Sequence, residues 1–213
     1  MKRYQPRVRL LATGLSALAG FVDATGFMSL GGFFVSFMSG NTTRLAVGLA
    51  RGTDAAALAA GLIAAFVLGV MGGTLLRRRA GKRQAAWVLA LVAALLALAA
   101  AFGMGGFLTG SGVTMALAMG AENAVFEREG EVHIGLTYMT GTLVKFGQHL
   151  THALCGGEGS AWRSYLLLWL GLAGGAVTGA LLHPWLGLGG LWFAALAAAF
   201  FAVAAARMGE FNI

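Results

Sequence analysis

Residues 36–44 read Ser36-Phe37-Met38-Ser39-Gly40-Asn41-Thr42-Thr43-Arg44, and residues 137–145 read Thr137-Tyr138-Met139-Thr140-Gly141-Thr142-Leu143-Val144-Lys145. The stretches are chemically alike at their first five positions and at the last, at an offset of 101 residues. Upstream, Val22-Asp23-Ala24 corresponds to Glu122-Asn123-Ala124 at offset 100; downstream, Leu68-Gly69-x-x-Gly72-Gly73 corresponds to Leu170-Gly171-x-x-Gly174-Gly175 at offset 102. Three matches in one order, drifting by single residues, read as an internal repeat, with one copy over about 10–108 and the other over about 111–206.

The chain around these stretches is 213 residues long, 58% hydrophobic and 11% charged. That balance excludes an ordinary soluble domain, in which charged residues make up about a quarter of the chain, and it points to a membrane protein. The single cysteine, Cys155, cannot form an internal bridge. The basic Met1 to Arg9 start resembles a signal peptide, yet the apolar run continues past Leu30 through Asp23 without a clear cleavage signature, so it is expected to remain as a helix. The net charge of +7 sits in short clusters between apolar runs. These clusters read as topology signals, and no nucleic-acid partner is expected.

Apolar segments lie at about 10–30, 33–50, 55–76, 84–108, 111–126, 135–155, 162–182 and 187–206. By length, eight crossings are open, since a helix needs about 20 residues to span the hydrocarbon. Eight crossings would leave 7 Lys/Arg inside against 6 outside. If 33–50 and 135–155 instead leave on the side they enter, Lys2, Arg3, Arg7, Arg9, the 77–83 cluster, Arg128, Arg163 and Arg207 lie inside and only Arg51 outside, a split of 12 against 1. The expected fold is therefore an all-α polytopic membrane protein, a single membrane domain of six transmembrane helices plus two re-entrant half-helices in an inverted 3+3 repeat. Both termini would be cytoplasmic. Seven or eight crossings are the alternative.

The motifs F-V-D-A-T-G-F, G-G-F-F-V-S-F-M-S-G-N-T-T-R-L and T-Y-M-T-G-T-L together resemble the YoaK-like family of uncharacterised bacterial inner-membrane proteins, over nearly the whole chain. The resemblance implies a polytopic protein of the bacterial inner membrane and brings no activity with it.

Re-entrant geometry would start helices at Asn41 and Thr142 after turns at Gly40 and Gly141, both near the bilayer midplane and facing each other. Each start would offer unpaired N–H groups and a positive dipole end to an anion, with Ser39, Asn41, Thr140 and Thr142 as side-chain caps. Ser36, Met38, Thr42, Thr137 and Met139 complete the candidate substrate site. The other reading is a purely structural pair of capped, broken helices. Arg44 and Lys145 share one repeat position and are expected to be buried, reinforcing the anion site or pairing with Asp23 or Glu122. Asp23, Glu122 and Asn123 are the candidate coupling residues: two acids at membrane depth, with Asn123 at the place that Asp23 holds in the first half. Lys145, His149 and His152 share a face near Cys155, a weak metal pattern; no metal or other cofactor is expected.

The glycine spacings Gly69-x-x-x-Gly73 and Gly171-x-x-x-Gly175-x-x-x-Gly179 allow close helix approach, within the chain or in a homodimer. No phosphate-binding loop or activated nucleophile marks an enzyme. The leading expectation is a secondary transporter of a small solute, anionic or carrying an anionic group, coupled to protons. A passive channel of aquaporin-like plan and a membrane scaffold without substrate are the alternatives.

Overall fold

The computed structural model describes residues 5–128, 131–132, 134–157 and 159–208, so Lys2 and Arg3 lie outside the described residues. Eight α-helices follow one another: α1 (Pro6–Ser29), α2 (Met38–Arg51), α3 (Ala55–Arg79), α4 (Gln84–Met104), α5 (Leu108–Glu122), α6 (Met139–Leu154), α7 (Ala161–Leu186) and α8 (Leu191–Met208). A 3₁₀ turn, Asn123–Phe126, extends α5, and strands β1 (Glu127–Arg128) and β2 (Glu131–Val132) form a two-residue antiparallel hairpin.

By length and composition α1, α3, α4 and the α7–α8 segment can cross a membrane. Their composition is apolar all round, and residues such as Leu68, Met71, Trp87, Leu181, Leu196 and Phe200 point outward, as lipid-facing helices do. Inside, α4 supplies Val88, Leu89, Val92 and Leu96, all fully buried, against α5 and α8. At 15 residues α5 is about 22 Å long, short of a full crossing without its 3₁₀ extension.

Glycine contacts set the helix directions. Gly171, Gly175 and Gly179 of α7 meet the carbonyls of Thr13, Ala17 and Phe21 in rising order, so α1 and α7 run parallel. Gly69 and Gly73 of α3 meet Leu117 and Ala121 of α5 in the same way. In contrast, Gly26 meets Met115 while Leu30 meets Gly112, so α1 and α5 run antiparallel. With no Cβ on either glycine stripe, the backbones approach to the contact that membrane helix pairs use.

These contacts also correct the downstream alignment. Gly69 meets Leu117 and Gly73 meets Ala121, whereas the residues against Ala17 and Phe21, 100 positions earlier, are Gly175 and Gly179. The corresponding glycines are therefore 106 residues apart, one helical turn away from the offset of 102 read in the sequence. The difference arises before these helices begin: α3 starts at Ala55 and α7 at Ala161, again 106 apart, because α6 is longer than α2 and the connection after α6 is longer than that after α2.

Candidate functional site

Between α1 and α2 the chain is not helical. Gly31 and Gly32 take positive φ (65° and 87°), which costs a glycine little, and turn the chain back along α1. Val35 lies against Gly26, and Asp23 Oδ1 accepts the backbone N–H groups of Val35 (2.8 Å) and Ser36 (2.7 Å). Asp23 is six residues before the end of α1, so the segment returns by about 9 Å before α2 starts. Asn41, fully buried on α2, closes the same segment from the other side. Its Oδ1 accepts the Phe34 N–H (3.0 Å) and its Nδ2 donates to the Phe34 carbonyl (2.6 Å).

The second segment, residues 134–138, is held in a related way. Thr137 Oγ1 donates to Asn123 Oδ1 (3.1 Å), Asn123 Nδ2 donates to the Met119 carbonyl (2.9 Å), and Ser16 of α1 donates to the Leu136 carbonyl (3.2 Å). Ile134, Leu136 and Thr137 are buried, as are Phe33, Val35 and Ser36 in the first segment. Asp23 and Asn123, 100 residues apart and on antiparallel helices, thus each pin one broken segment into the bundle. The acid suits the first because its partners are backbone donors, and the amide suits the second because it must both accept from a hydroxyl and donate to a carbonyl.

Further tethers hold the helix ends. Arg77 at the end of α3 donates to the Val125 carbonyl (2.9 Å), and Thr74 donates to Glu127 (2.7 Å). His183 lies within α7, ahead of Pro184 in the same helix, and its Nε2 is 2.8 Å from Ser29 Oγ at the end of α1. The tethering roles of Ser16, Arg77 and His183 are not legible in the sequence, where Arg77 counts only in the basic 77–83 cluster and His183 before Pro184 reads as an outer-loop residue; each acts through a partner more than 40 residues away in the chain.

Several expected features are absent. Helices α2 and α6 begin at Met38 and Met139, not Asn41 and Thr142, so Gly40 and Gly141 lie in first turns rather than before them. Neither start has a side-chain cap: Ser39 and Thr140 are exposed, Asn41 holds Phe34, and the Thr42 and Thr142 hydroxyls donate to the carbonyls of Met38 and Tyr138 four residues earlier. The two starts also do not pack face to face, since α2 lies on α3 and α6 on α7. The cause is the positions of Asp23 and Asn123, which draw the extended segments to the α1–α5 seam and leave α2 and α6 at the periphery.

Arg44 and Lys145 correct the expectation of buried bases. Arg44 is half-buried with its guanidinium 4.7 Å from the Phe33 ring centroid, a cation–π contact, and Lys145 is exposed on α6. Neither makes an ion pair with Asp23 or Glu122 among the described residues. Access to the two starts differs. A Cβ on Gly40 would meet Phe37 and Phe34 at 2.6 and 2.8 Å, whereas around Gly141 there is open space. Met38 and Met139 are half-buried at the two first turns. On the lower part of α6, His149 stacks on Tyr165 with ring centroids 5.2 Å apart, and Cys155 is exposed.

Residues 11–204 match the family described as "Protein of unknown function (DUF1275)", and the chain belongs to that family. It is 42% identical over 206 residues to the UPF0700 transmembrane protein RA0705 of Rhizobium meliloti (strain 1021), covering 96% of this chain and 89% of that protein. No solved structure matches it. The relative's transmembrane character and the four apolar helices or segments long enough to cross a membrane agree on a polytopic membrane protein.

Proposed function

We propose that this member of the DUF1275 family is a secondary transporter for a small solute with an anionic group, driven by protons. One observation carries the reading: two antiparallel helices, α1 and α5, each use a polar residue, Asp23 or Asn123, to pin a non-helical segment inside the bundle. Non-helical backbone at membrane depth survives only where protein buries it or a cavity wets it, and such breaks at a repeat interface are where transporters place their sites.

In this reading α2 and α6 are re-entrant, six helices cross, and the halves form an inverted 3+3 repeat in a single membrane domain of the bacterial inner membrane, with cytoplasmic termini and a YoaK-like relationship. The parallel α1–α7 and α3–α5 pairs and the antiparallel α1–α5 pair support the inversion. The solute meets the uncapped first turn of α6, where Gly141 is open and Thr140 and Lys145 are exposed. The corresponding turn of α2 lies under Phe34 and Phe37, so the two half-sites differ in access as alternating access requires. A homodimer covers the polar faces of α2 and α6. No catalytic residue is assigned.

The test is uptake of labelled small carboxylates and amino acids into proteoliposomes with and without an imposed proton gradient. Saturable, gradient-driven uptake that Lys145→Met removes is the expected result. Flux that never saturates would establish a pore instead, and the absence of flux for every solute would leave the scaffold.

A further inference from the structure

Glu122 has no exposed surface, and neither of its carboxyl oxygens meets a hydrogen-bond partner. It differs in this from the other acids of the bundle, because Asp23 accepts two backbone N–H groups and Glu127 accepts the Thr74 hydroxyl. Ionised carboxylates offer about four acceptor sites, and leaving all of them empty away from water is costly, so a side chain of this kind points to function rather than to packing.

Its place on α5 is defined by periodicity. Ser111 lies three turns earlier on the same stripe and donates to the Ala99 carbonyl of α4 (2.8 Å), so Glu122 faces the α4 seam. On α4, Val88, Leu89, Val92 and Leu96 are fully buried, and α4 carries no titratable residue between Gln84 and Met104. Among the described residues none of the charged groups on the other packed elements hydrogen-bonds to Glu122, and Arg9 of α1 likewise buries an Nε without a partner. On α3, Arg77 donates to Val125 while Arg78 and Arg79 are exposed; on α1, Asp23 holds the first segment, Arg7 is exposed and Arg9 is half-buried; Arg83, before α4, is exposed. The turn Asn123–Phe126 adds none, and no charged group among the described residues hydrogen-bonds to Glu122.

Building on the transport reading, we infer that Glu122, and not Asp23, is the carboxyl that takes up and releases the coupling proton. The proton comes from water on one side of the membrane, forms an O–H bond at a Glu122 carboxyl oxygen, and returns to water on the other side; no other bond changes. Asp23 is less suited to the role, because neutralising its carboxyl would weaken the charge-assisted bonds from the two N–H donors that fix residues 35 and 36. Glu122 is next to Asn123, whose amide holds Thr137, so a change of charge on α5 is one residue from the second segment's anchor. That adjacency gives the proton a route to the solute site.

The experiment is pH-difference infrared spectroscopy of the purified full-length protein, which detects the carbonyl stretch of a protonated carboxylic acid. Wild type should show, besides the bands of its other carboxyls, one band that titrates apart from them. Glu122→Gln should abolish it, Glu122→Asp should shift its frequency, and Asp23→Asn should leave it in place. The Asp variant and the wild-type titration decide the matter should the Gln variant fail to fold. No such band in wild type, or one that Asp23→Asn removes and Glu122→Gln retains, would overturn the inference. A Glu122 band in a protein that shows no proton-driven solute flux would uphold the proton site and count against the transport reading alone.

Discussion

Asp23→Ala removes the acceptor for two buried backbone donors at once. The Val35 and Ser36 N–H groups lie 2.8 and 2.7 Å from Asp23 Oδ1, the lengths of charge-assisted bonds. Bonds of that class contribute about 1.5–3 kcal/mol each, so the pair represents ~3–6 kcal/mol. Removing the carboxylate also removes its own desolvation cost, which returns part of that sum and leaves a net loss of ~2–5 kcal/mol. At about 2–4 °C per kcal/mol for a domain of this size, the apparent melting temperature in detergent should fall by roughly 4–20 °C. Asp23→Asn keeps an oxygen at the same place but as a neutral acceptor, so its loss should be about half as large. The effect should be local first, because Asp23 of α1 and Asn41 of α2 hold this segment from its two sides and the substitution removes one of them. Chymotrypsin should cut after Phe33, Phe34 or Phe37 in Asp23→Ala under conditions in which wild type resists. An Asp23→Ala protein that melts within about 2 °C of wild type and resists chymotrypsin equally would refute the clamp.

Asn41→Asp should destabilise the same segment by about 2–4 kcal/mol, because a carboxylate replaces the Nδ2 donor facing the Phe34 carbonyl; melting temperature and chymotrypsin sensitivity check it. Gly175→Val should prevent stable folding, since its Cβ would collide with the Ala17 carbonyl, whereas Gly174→Val, with nothing near its Cβ, should stay within about 1 kcal/mol of wild type in detergent melting curves. In a Cys155→Ser background, single cysteines at Thr53 and Ser160, both exposed, should react with impermeant reagent from opposite faces of the membrane; labelling from one common face would establish eight crossings and end the inverted arrangement.

Much of this molecule can be read from its residues alone. Long apolar runs separated by basic clusters define a polytopic membrane protein, because in hydrocarbon only hydrogen-bonded helices and closed barrels satisfy the backbone. Offsets near 100 single out Asp23, Asn123 and the two broken segments, since repeated polar residues inside apolar runs are too costly to be incidental. Tertiary structure alone decided what those residues hold. Spacing along the chain suggested capped half-helices meeting at midplane with buried Arg44 and Lys145, but a hydrogen-bonding side chain takes the strongest donor within reach, and that donor depends on which helix lies alongside. Asp23 found the backbone of residues 35 and 36 and Asn41 found Phe34, leaving both helix starts uncapped. The one-turn error in matching Gly69 to Gly171 has the same origin. A glycine stripe looks alike at every turn of the sequence, and only the carbonyl it touches, Leu117 for Gly69 and Ala17 for Gly175, fixes its register. Glu122 shows the limit most plainly: its place in an apolar run was legible, but that its carboxyl is fully buried without a partner depends on how the helices pack around it.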